Sequence, residues 1–201
     1  ARLLADQGAD ILDIGGESTR PGAREVPASE EIARIAPVIA AARGLAAISV
    51  DTRKAGVAQA ALAAGAGMVN DVSGLDFDPG LARVVADAGA PICLMHAQGI
   101  PETMQDDPSY GDVLLDVYDA LAQRITRAEA AGISRSHIVI DPGIGFGKTQ
   151  AHNLAILRRI SLFHGLGCAV LLGVSRKRFI GDIGQAPDAT DRFPGTLAVT
   201  L

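Results

Sequence analysis

Six short apolar runs alternate with helical segments along the chain, and this alternation restricts the possible fold more than any other feature. The runs cover residues 11–14, 47–50, 68–69, 91–95, 137–140 and 168–174. Strands separated by helices in this way run parallel, because each crossover helix returns the chain to the same end of the sheet. The sequence therefore predicts an α/β fold with one parallel sheet.

End signals mark several of the helices between these runs. Asp78, which precedes a proline, and Asp112 both predict helix N-caps. Thr149 opens another helix, and Gly132 ends the helix that starts after Asp112. Glu31 falls in the first turn of a helix over residues 29–43, where the helix dipole favours an acid.

The composition is that of a globular protein and excludes several classes. The 201 residues are 48% apolar and 20% charged with a net charge of −5, which predicts a single domain over residues 1–201 and argues against nucleic-acid binding. The longest apolar run, 168–174, is too short to span a bilayer, and the first residues lack a signal-peptide pattern. We expect a cytoplasmic protein without a membrane segment.

The two cysteines, Cys93 and Cys168, lie inside apolar runs without metal-ligand spacing. Such cysteines in a reducing compartment are usually buried free thiols. We predict that state for both.

A polar side chain stands at or near the end of every apolar run. They are Glu17, Asp51, Asn70, Asp71, His96, Asp141, Ser175 and Arg176. The carboxyl ends of parallel strands meet at one edge, where α/β proteins build their sites. The sequence therefore predicts one shared site rather than separate polar strand ends.

The predicted parallel sheet fits two architectures, a closed barrel and an open doubly wound sheet. A closed barrel has eight strands and takes about 250 residues, whereas six strands are predicted here. The chain begins and stops within helical patterns, ARLLADQGAD and GTLAVTL. We therefore predict a TIM (β/α)8 barrel lacking its first and last strands, with the open sheet as the alternative.

The segment HIVIDPGIGFGKT follows the fifth run and looks at first like a phosphate-binding loop. Pro142 stands where the first glycine of G-x-x-x-x-G-K-[ST] is required. The three glycines are also one residue short of the dinucleotide pattern G-x-G-x-x-G. Both nucleotide interpretations fail on spacing, which leaves Asp141 at the mouth of a buried strand.

Asp51, Asn70 and Asp141 together form a set rich in hydrogen-bond acceptors. A carboxylate accepts two parallel N–H bonds, and an amide both donates and accepts, so the set fits a heterocycle with an edge such as 2-amino-4-oxopyrimidine. A helix cap at Asp51, paired surface groups or a magnesium site are the alternatives.

Two further segments and one histidine carry weaker signals. SRKRF, residues 175–179, places three cations after a strand, which suits a carboxylate or phosphate but also a solvated basic turn. GGESTRPGA offers the hydroxyl of Thr19 and the charge of Arg20, or is a plain connecting loop.

For His96 a hydrogen bond at the core edge is favoured over acid–base chemistry. No serine or threonine has a matched histidine base, so a catalytic triad finds no support.

The motifs DIGGESTRPGA, SVDTRKAGVAQAALAAGAGMVNDVSG, LMHAQGIPETMQ, DPGIGFGKTQAHN and LLGVSRKRFIG cover nearly the whole chain. With them the sequence closely resembles the dihydropteroate synthase family. The resemblance implies an eight-stranded barrel, usually homodimeric. It also implies the joining of 4-aminobenzoate to 6-hydroxymethyl-7,8-dihydropterin diphosphate, with release of diphosphate, and a target for sulfonamides.

The resemblance also assigns roles to residues of this chain. It implies catalytic roles for Asp141, Lys177 and Asp51. The substrate-binding residues that it implies are Thr19, Arg20, Pro21, Asp51, Asn70, Met95, Asp141, Phe146, Gly173, Ser175, Lys177 and Arg178. A magnesium-binding asparagine before residue 1 and a diphosphate-binding arginine and histidine after residue 201 are expected outside the chain, so no metal ligand is expected within it.

Two other functions fit part of the sequence. A corrinoid-dependent methyltransferase acting on methyltetrahydrofolate shares a barrel and an acidic pterin pocket, but STRPG and SRKRF argue against it because they serve the aminobenzoate side. A non-catalytic paralogue that only binds pterins is disfavoured by the presence of Asp51, Asn70, Asp141 and Lys177.

Overall fold

The computed structural model describes residues 1–18, 23–99 and 103–201. Its strands are β1 Ile11–Gly15, β2 Ala47–Asp51, β3 Met68–Asp71, β4 Ile92–Met95, β5 Ile138–Asp141 and β6 Ala169–Val170. Its α-helices are α1 Arg2–Asp6, α2 Ala28–Ala42, α3 Ala55–Ala64, α4 Leu81–Ala88, α5 Val113–Ala130, α6 Gln150–Arg158, α7 Arg178–Gly184 and α8 Phe193–Thr200. Short 3-10 turns cover Arg135–His137, Ile160–Leu166 and Ala189–Arg192.

The strands form one parallel sheet in the order of the chain, β1 to β6. A doubly wound sheet reverses its strand order part-way, whereas a barrel continues in one direction. No reversal occurs among the described strands, so the barrel prediction is confirmed over the six strands present. The sheet is not closed, since β1 and β6 are not paired with each other.

The pairing register sorts the side chains of the sheet into two faces. Asp51 is paired with Gly15 on one side and Asn70 on the other, while Met95 is paired with Asp141. Paired residues point to the same face and alternate residues share a face, so all of these lie on the concave, barrel-interior side.

The opposite face packs against the helices and forms the core. Its buried residues are Leu12, Ile48, Val50, Val69, Ile92, Leu94, Ile138 and Ile140. Val117, Leu121 and Ile125 of α5 are buried against this layer, as their spacing predicts. Each such aliphatic side chain stabilises the fold by about 1.5–3 kcal/mol.

Most of the predicted helix ends are found, with one correction. Asp112 Oδ1 accepts from the Leu114 and Leu115 N–H groups at 2.9 and 3.3 Å, and Thr149 caps α6. Asp78, however, is not the N-cap of α4, since that position is Gly80. The Asp78 carboxylate instead accepts from the N–H groups of Gly80 and of Ala55, the first residue of α3.

The sixth strand is shorter than predicted. The apolar run 168–174 forms a strand only over Ala169–Val170, and residues 171–174 have no regular structure. Only β5 pairs with β6, and one further bond, from Leu171 N–H to the Ile140 carbonyl at 2.8 Å, extends the contact. Hydrophobicity alone therefore overestimated a strand that has a neighbour on one side.

Cys93 and Cys168 are buried free thiols, as predicted. None of the helices in the described part of the chain is both long enough and apolar enough to cross a membrane.

The cap of α5 can be tested by stability. Asp112→Ala removes both acceptor bonds to the first turn, so we expect the free energy of unfolding to fall by about 1 kcal/mol in urea titration. Asp119→Ala, the same change on the exposed face of α5, is the matched control and should change it by less than about 0.5 kcal/mol. Equal losses in the two variants would contradict the capping role.

Candidate active site

Asp141, the last residue of β5, lies at the centre of the site. Its side chain is buried, and its Oδ1 accepts from the Gly143 N–H at 2.7 Å. A Cβ on Gly173 would lie 3.6 Å from Asp141 Oδ2, so the absence of a side chain there leaves the second oxygen accessible. Burial raises the pKa of Asp141 to about 6, although the Gly143 bond and the charges of Lys177 and Lys148 oppose that rise.

Asp51 and Asn70 lie side by side on the same face. The Oδ1 atom of Asp51 is buried and has no hydrogen-bond partner among residues 1–18, 23–99 and 103–201. Burial raises the pKa of Asp51 to about 7, and the negative charges of Asp13 and Glu31 add to the effect. Asn70 Nδ2 donates to Asp13 Oδ2 at 2.9 Å.

Asp13 is a site residue that the sequence analysis missed. It lies two residues before Gly15 in β1, and the period of two puts it on the same face as Asp51. That alternation was present in the sequence, but only the residues at strand ends were considered.

These acceptors need donors that the described residues do not supply. Asp51 Oδ1 has no partner, and Asp141 Oδ2 is not engaged by any described donor. A buried, unpaired acceptor costs about 1–3 kcal/mol, which a ligand with several N–H groups recovers when it binds. The interior face is therefore complementary to the donor edge of a flat, nitrogen-rich ring.

Lys177 and Phe146 form the next part of the site. Lys177 Nζ lies 4.2 Å from the centroid of the Phe146 ring, a cation–π contact. A Cβ on Gly145 would lie 3.3 Å from Lys177 Cδ, so a glycine there leaves room for the lysine. Burial lowers the pKa of Lys177, while the negative charge of Asp141 opposes the change.

The basic segment SRKRF does not form a cluster of three cations. The chain turns at Arg176, whose φ is +56°, and both Arg176 and Arg178 are exposed. Arg178 Nε lies 3.9 Å from Asp182, one turn along α7. Ser175 is exposed as well, so only Lys177 is turned towards Phe146.

The glycine-rich loop after β5 is shaped by a close approach between two loops. Gly143 has φ +69°, and a Cβ there would lie 1.9 Å from the His96 carbonyl oxygen. Gly147 has φ +57°, and its Cβ would lie 2.4 Å from the Gln98 carbonyl oxygen. Both positions therefore require glycine because of the backbone that they approach.

Lys148 holds the same loops together from inside. Its Nζ donates to the carbonyls of His96 and Phe146 at 3.2 and 3.0 Å and lies 2.9 Å from His96 Nδ1. Burial lowers the pKa of Lys148 to about 7 and also lowers that of His96. His96 therefore makes the core-edge hydrogen bond that was favoured for it.

Thr19, Arg20 and Pro21 lie outside the described residues, but the chain on either side of them is anchored. Glu17 Oε2 accepts from the Val26 N–H at 2.7 Å and from Lys54 Nζ at 2.6 Å. Lys54 Nζ also donates to Glu31 Oε2 at 2.8 Å. Glu31, read from the sequence as a dipole-favoured acid, is in fact a buried ion-pair partner.

An apolar cleft of about 130 Å3 adjoins the site. Met95, which was expected to bind substrate, lines it together with Phe77, Met104 and Phe146. Arg53 closes one side, since its guanidinium carbon lies 3.9 Å from the Phe77 ring centroid and its Nε donates to Glu17 at 3.0 Å.

Comparison with known proteins identifies the family. A family model described as "Pterin binding enzyme" matches residues 1–201. The chain belongs to the pterin binding enzyme family. It is 43% identical over 203 residues to the dihydropteroate synthase of Escherichia coli (strain K12), covering 100% of the chain and 71% of that enzyme. It is 47% identical over 201 residues, its whole length, to a probable bifunctional folylpolyglutamate synthase/dihydropteroate synthase of Haloferax volcanii, of which it spans 24%.

Solved structures of this pterin binding enzyme family have the same fold. The Xanthomonas albilineans dihydropteroate synthase with 4-aminobenzoic acid matches with a TM-score of 0.92 and 46% identity, covering 98% of this chain and 71% of that one. The Yersinia pestis enzyme in a sulfonamide drug complex matches with a TM-score of 0.92 and 42% identity, with the same coverage. The chain thus falls among the dihydropteroate synthases, which are transferases of folate synthesis.

The glycine requirement at residue 143 gives a stability prediction. Gly143→Ala combines a positive φ with a clash against the His96 carbonyl, so we expect it to lower the free energy of unfolding by more than about 3 kcal/mol. Gly89→Ala, at φ +61° but with open space around the added Cβ, isolates the backbone effect at about 1 kcal/mol. Similar losses measured by urea unfolding would contradict the close approach.

The buried carboxyl of Asp51 gives a pH prediction. Because its folded-state pKa lies above its unfolded value, its contribution to stability is lost as the pH rises from about 4 to about 7. Asp51→Asn removes that loss, so the variant should gain about 4 kcal/mol of unfolding free energy relative to wild type between pH 4 and pH 8. A difference that stays constant over this range in urea titrations would count against the shift.

Proposed function

We propose that the full-length protein joins 6-hydroxymethyl-7,8-dihydropterin diphosphate to 4-aminobenzoate, forming 7,8-dihydropteroate and diphosphate. The observation that carries the proposal is the placement of Asp51, Asn70 and Asp141 on one face, beside the Lys177–Phe146 contact. Asp51, Asn70 and Asp141 fit the donor edge of the pterin. Lys177 and Phe146 fit the junction between the two substrates. Because the chain spans 71% of the Escherichia coli enzyme and 24% of the Haloferax volcanii protein, the activity is assigned to the full-length protein.

The pterin is placed by complementary hydrogen bonding. The two oxygens of the Asp141 carboxylate, of which Oδ1 also accepts from the Gly143 N–H, can accept two adjacent N–H groups of the pyrimidine edge, a paired arrangement that fixes orientation as well as affinity. Asn70, whose donor is turned to Asp13, has its amide oxygen available as an acceptor. Asp51 can offer either an acceptor or a proton near pH 7, since its pKa lies there.

The 4-aminobenzoate is placed on the Phe146 side. A flat aromatic ring packs well against the Phe146 ring, with its amino group turned towards the junction at Lys177. The Xanthomonas albilineans relative is a complex with 4-aminobenzoic acid and the Yersinia pestis relative is a complex with a sulfonamide drug, which supports 4-aminobenzoate as a substrate and sulfonamides as inhibitors. Five further substrate contacts stay predictions: Thr19, Arg20, Pro21, Ser175 and Arg178. Because the Arg178 side chain is exposed, we expect this residue to contribute through its backbone.

The proposed chemistry is displacement of diphosphate at the pterin methylene carbon. As the C–O bond breaks, positive charge spreads into the ring, and the Asp141 carboxylate stabilises this charge more strongly than it stabilises the ground state. The aniline nitrogen of 4-aminobenzoate is neutral at pH 7 and attacks without a strong base. His96 and Lys148, the basic groups behind Asp141, are buried in mutual contact and are not needed as bases.

Three properties of the family are proposed for the full-length protein as well. No group of three or more His, Cys, Asp or Glu side chains in residues 1–18, 23–99 and 103–201 is arranged to hold a metal ion. Mg2+ usually keeps several waters and binds substrate phosphates, so its binding stays a proposal that the family resemblance supports. A homodimer and a cytoplasmic location follow from the family resemblance, and size-exclusion chromatography with light scattering tests the former.

The alternatives receive less support. The relatives named above are dihydropteroate synthases, whereas a corrinoid-dependent methyltransferase would transfer a methyl group in an assay with methyltetrahydrofolate. A non-catalytic pterin binder would bind 6-hydroxymethylpterin without forming product when 4-aminobenzoate is added. Product formation by the full-length protein separates both alternatives from the proposed reaction.

Asp141 is the decisive residue for this mechanism. Asp141→Asn keeps the shape but removes the charge, so we expect kcat to fall by about 10²–10³ in the full-length protein, in line with loss of one preorganised electrostatic contact. Asp87→Asn, which changes an exposed carboxylate on α4, is the control and should leave kcat within about twofold. Near-normal turnover of Asp141→Asn would refute the role.

A further inference from the structure

Three of the 18 basic residues in the chain are lysines, and all three stand at the site end of the sheet. Lys54 follows β2, Lys148 follows β5, and Lys177 follows β6. The other 15 residues of the Lys and Arg total are arginines, whose guanidinium stays protonated and is not a nucleophile at neutral pH. The chain therefore places all of its lysine amines within one region.

Two of these amines are inaccessible. Lys54 Nζ uses its three hydrogens on Glu17, Glu31 and the Val26 carbonyl at 2.6, 2.8 and 2.7 Å. Its residue is 6% exposed, and Lys148, which is held by His96 and Phe146, is 3% exposed. Neither nitrogen can approach a small molecule without breaking several buried contacts.

Lys177 differs from both. It is half-buried, and its Nζ makes no hydrogen bond or ion pair with any described residue. Its one close contact is the face of Phe146, and the adjacent Gly145 adds no side chain that would cover it. Burial also lowers the pKa of Lys177, which increases the share of the neutral amine.

We propose that Lys177 is an imine-forming site for an aldehyde carried on a flat, pterin-like heterocycle. This inference rests on the pterin-binding part of the proposed function. With the donor edge of such a ring held by Asp141, a substituent on its opposite side is directed towards Phe146 and Lys177. The amine and the aldehyde carbon are then held together, which raises their effective concentration.

The reaction balances without an added oxidant or reductant. The Nζ lone pair attacks the aldehyde carbon, and the carbonyl oxygen takes up a proton to give a carbinolamine. The nitrogen then loses its remaining proton, and the hydroxyl leaves as water with a second proton, so that one aldehyde and one amine give one C=N bond and one water. Lysine amines desolvated in this way are the usual imine formers among protein side chains.

The test uses the full-length protein and 6-formylpterin. After incubation at pH 7.5, a value at which an ordinary lysine of pKa about 10.4 is almost fully protonated, sodium borohydride reduces any imine to a stable amine. Tryptic peptides are then mapped by mass spectrometry. We expect about one label per chain, on Lys177, and its suppression by excess 6-hydroxymethylpterin, which has the ring without the aldehyde.

Two comparisons make the assignment specific. Lys177→Arg retains a cation over Phe146 but has no nucleophilic amine, so labelling of the region 1–201 should fall at least about tenfold. Butanal, which has the aldehyde but no ring to bind to the pterin or the aminobenzoate site, should label Lys177 at least about tenfold less than 6-formylpterin does.

The outcomes separate this inference from the proposed function. Labelling at Lys54 or Lys148, equal labelling by butanal, or fluorescence-detected binding of 6-formylpterin without a label on Lys177 would overturn the imine site while leaving pterin binding intact. Failure of both 6-formylpterin and 6-hydroxymethylpterin to bind would overturn pterin binding and the imine site together.

Discussion

The site depends on a set of acidic side chains that share the concave face of one parallel sheet. Asp13, Asp51 and Asp141 lie there with Asn70, and the fixed register leaves them no other direction to point. Burial makes this face unfavourable on its own: it raises the pKa of both Asp51 and Asp141, and repulsion from Asp13 adds to the rise at Asp51. A cationic or donor-rich ring relieves that cost when it binds. The same buried acids that destabilise the empty site therefore provide the affinity for the ligand.

The rest of the structure holds this face in place. The loop after β5 packs its glycine backbone against the chain after β4, and Lys148 bridges the two loops from the interior. Asn153 and Tyr110 add bonds to the same loop, at the Gly145 N–H and the Gly147 carbonyl. Phe146 is thereby fixed between rigid neighbours, which lets Lys177 rest on its ring.

Sequence reasoning could predict the sheet and the positions of the main polar residues, because both follow from short-range patterns. Alternation of apolar runs with helical segments predicts the parallel strands. The carboxyl ends of such strands lie at one edge of the sheet, and this rule placed Asp51, Asn70 and Asp141 together. Asp13 was missed because it lies inside its strand, and the length of β6 was overestimated because an apolar run does not report how many neighbours it has. The direction of each cation in SRKRF depends on a turn at Arg176 that no pattern of charges encodes.

The buried cluster of Glu17, Lys54 and Glu31 sets a condition on exchanging parts between relatives. Lys54, which lies between β2 and α3, donates to Glu17, to the Val26 carbonyl and to Glu31 of α2, so one ammonium holds residues 17 and 26 at the two ends of this segment. Grafting that stretch from a relative with an uncharged residue at position 17 would strand a buried ammonium beside a single acid, and breaking such a pair costs about 3–5 kcal/mol. Chimeras of this family should therefore exchange the segment 17–26 together with Glu31 and Lys54.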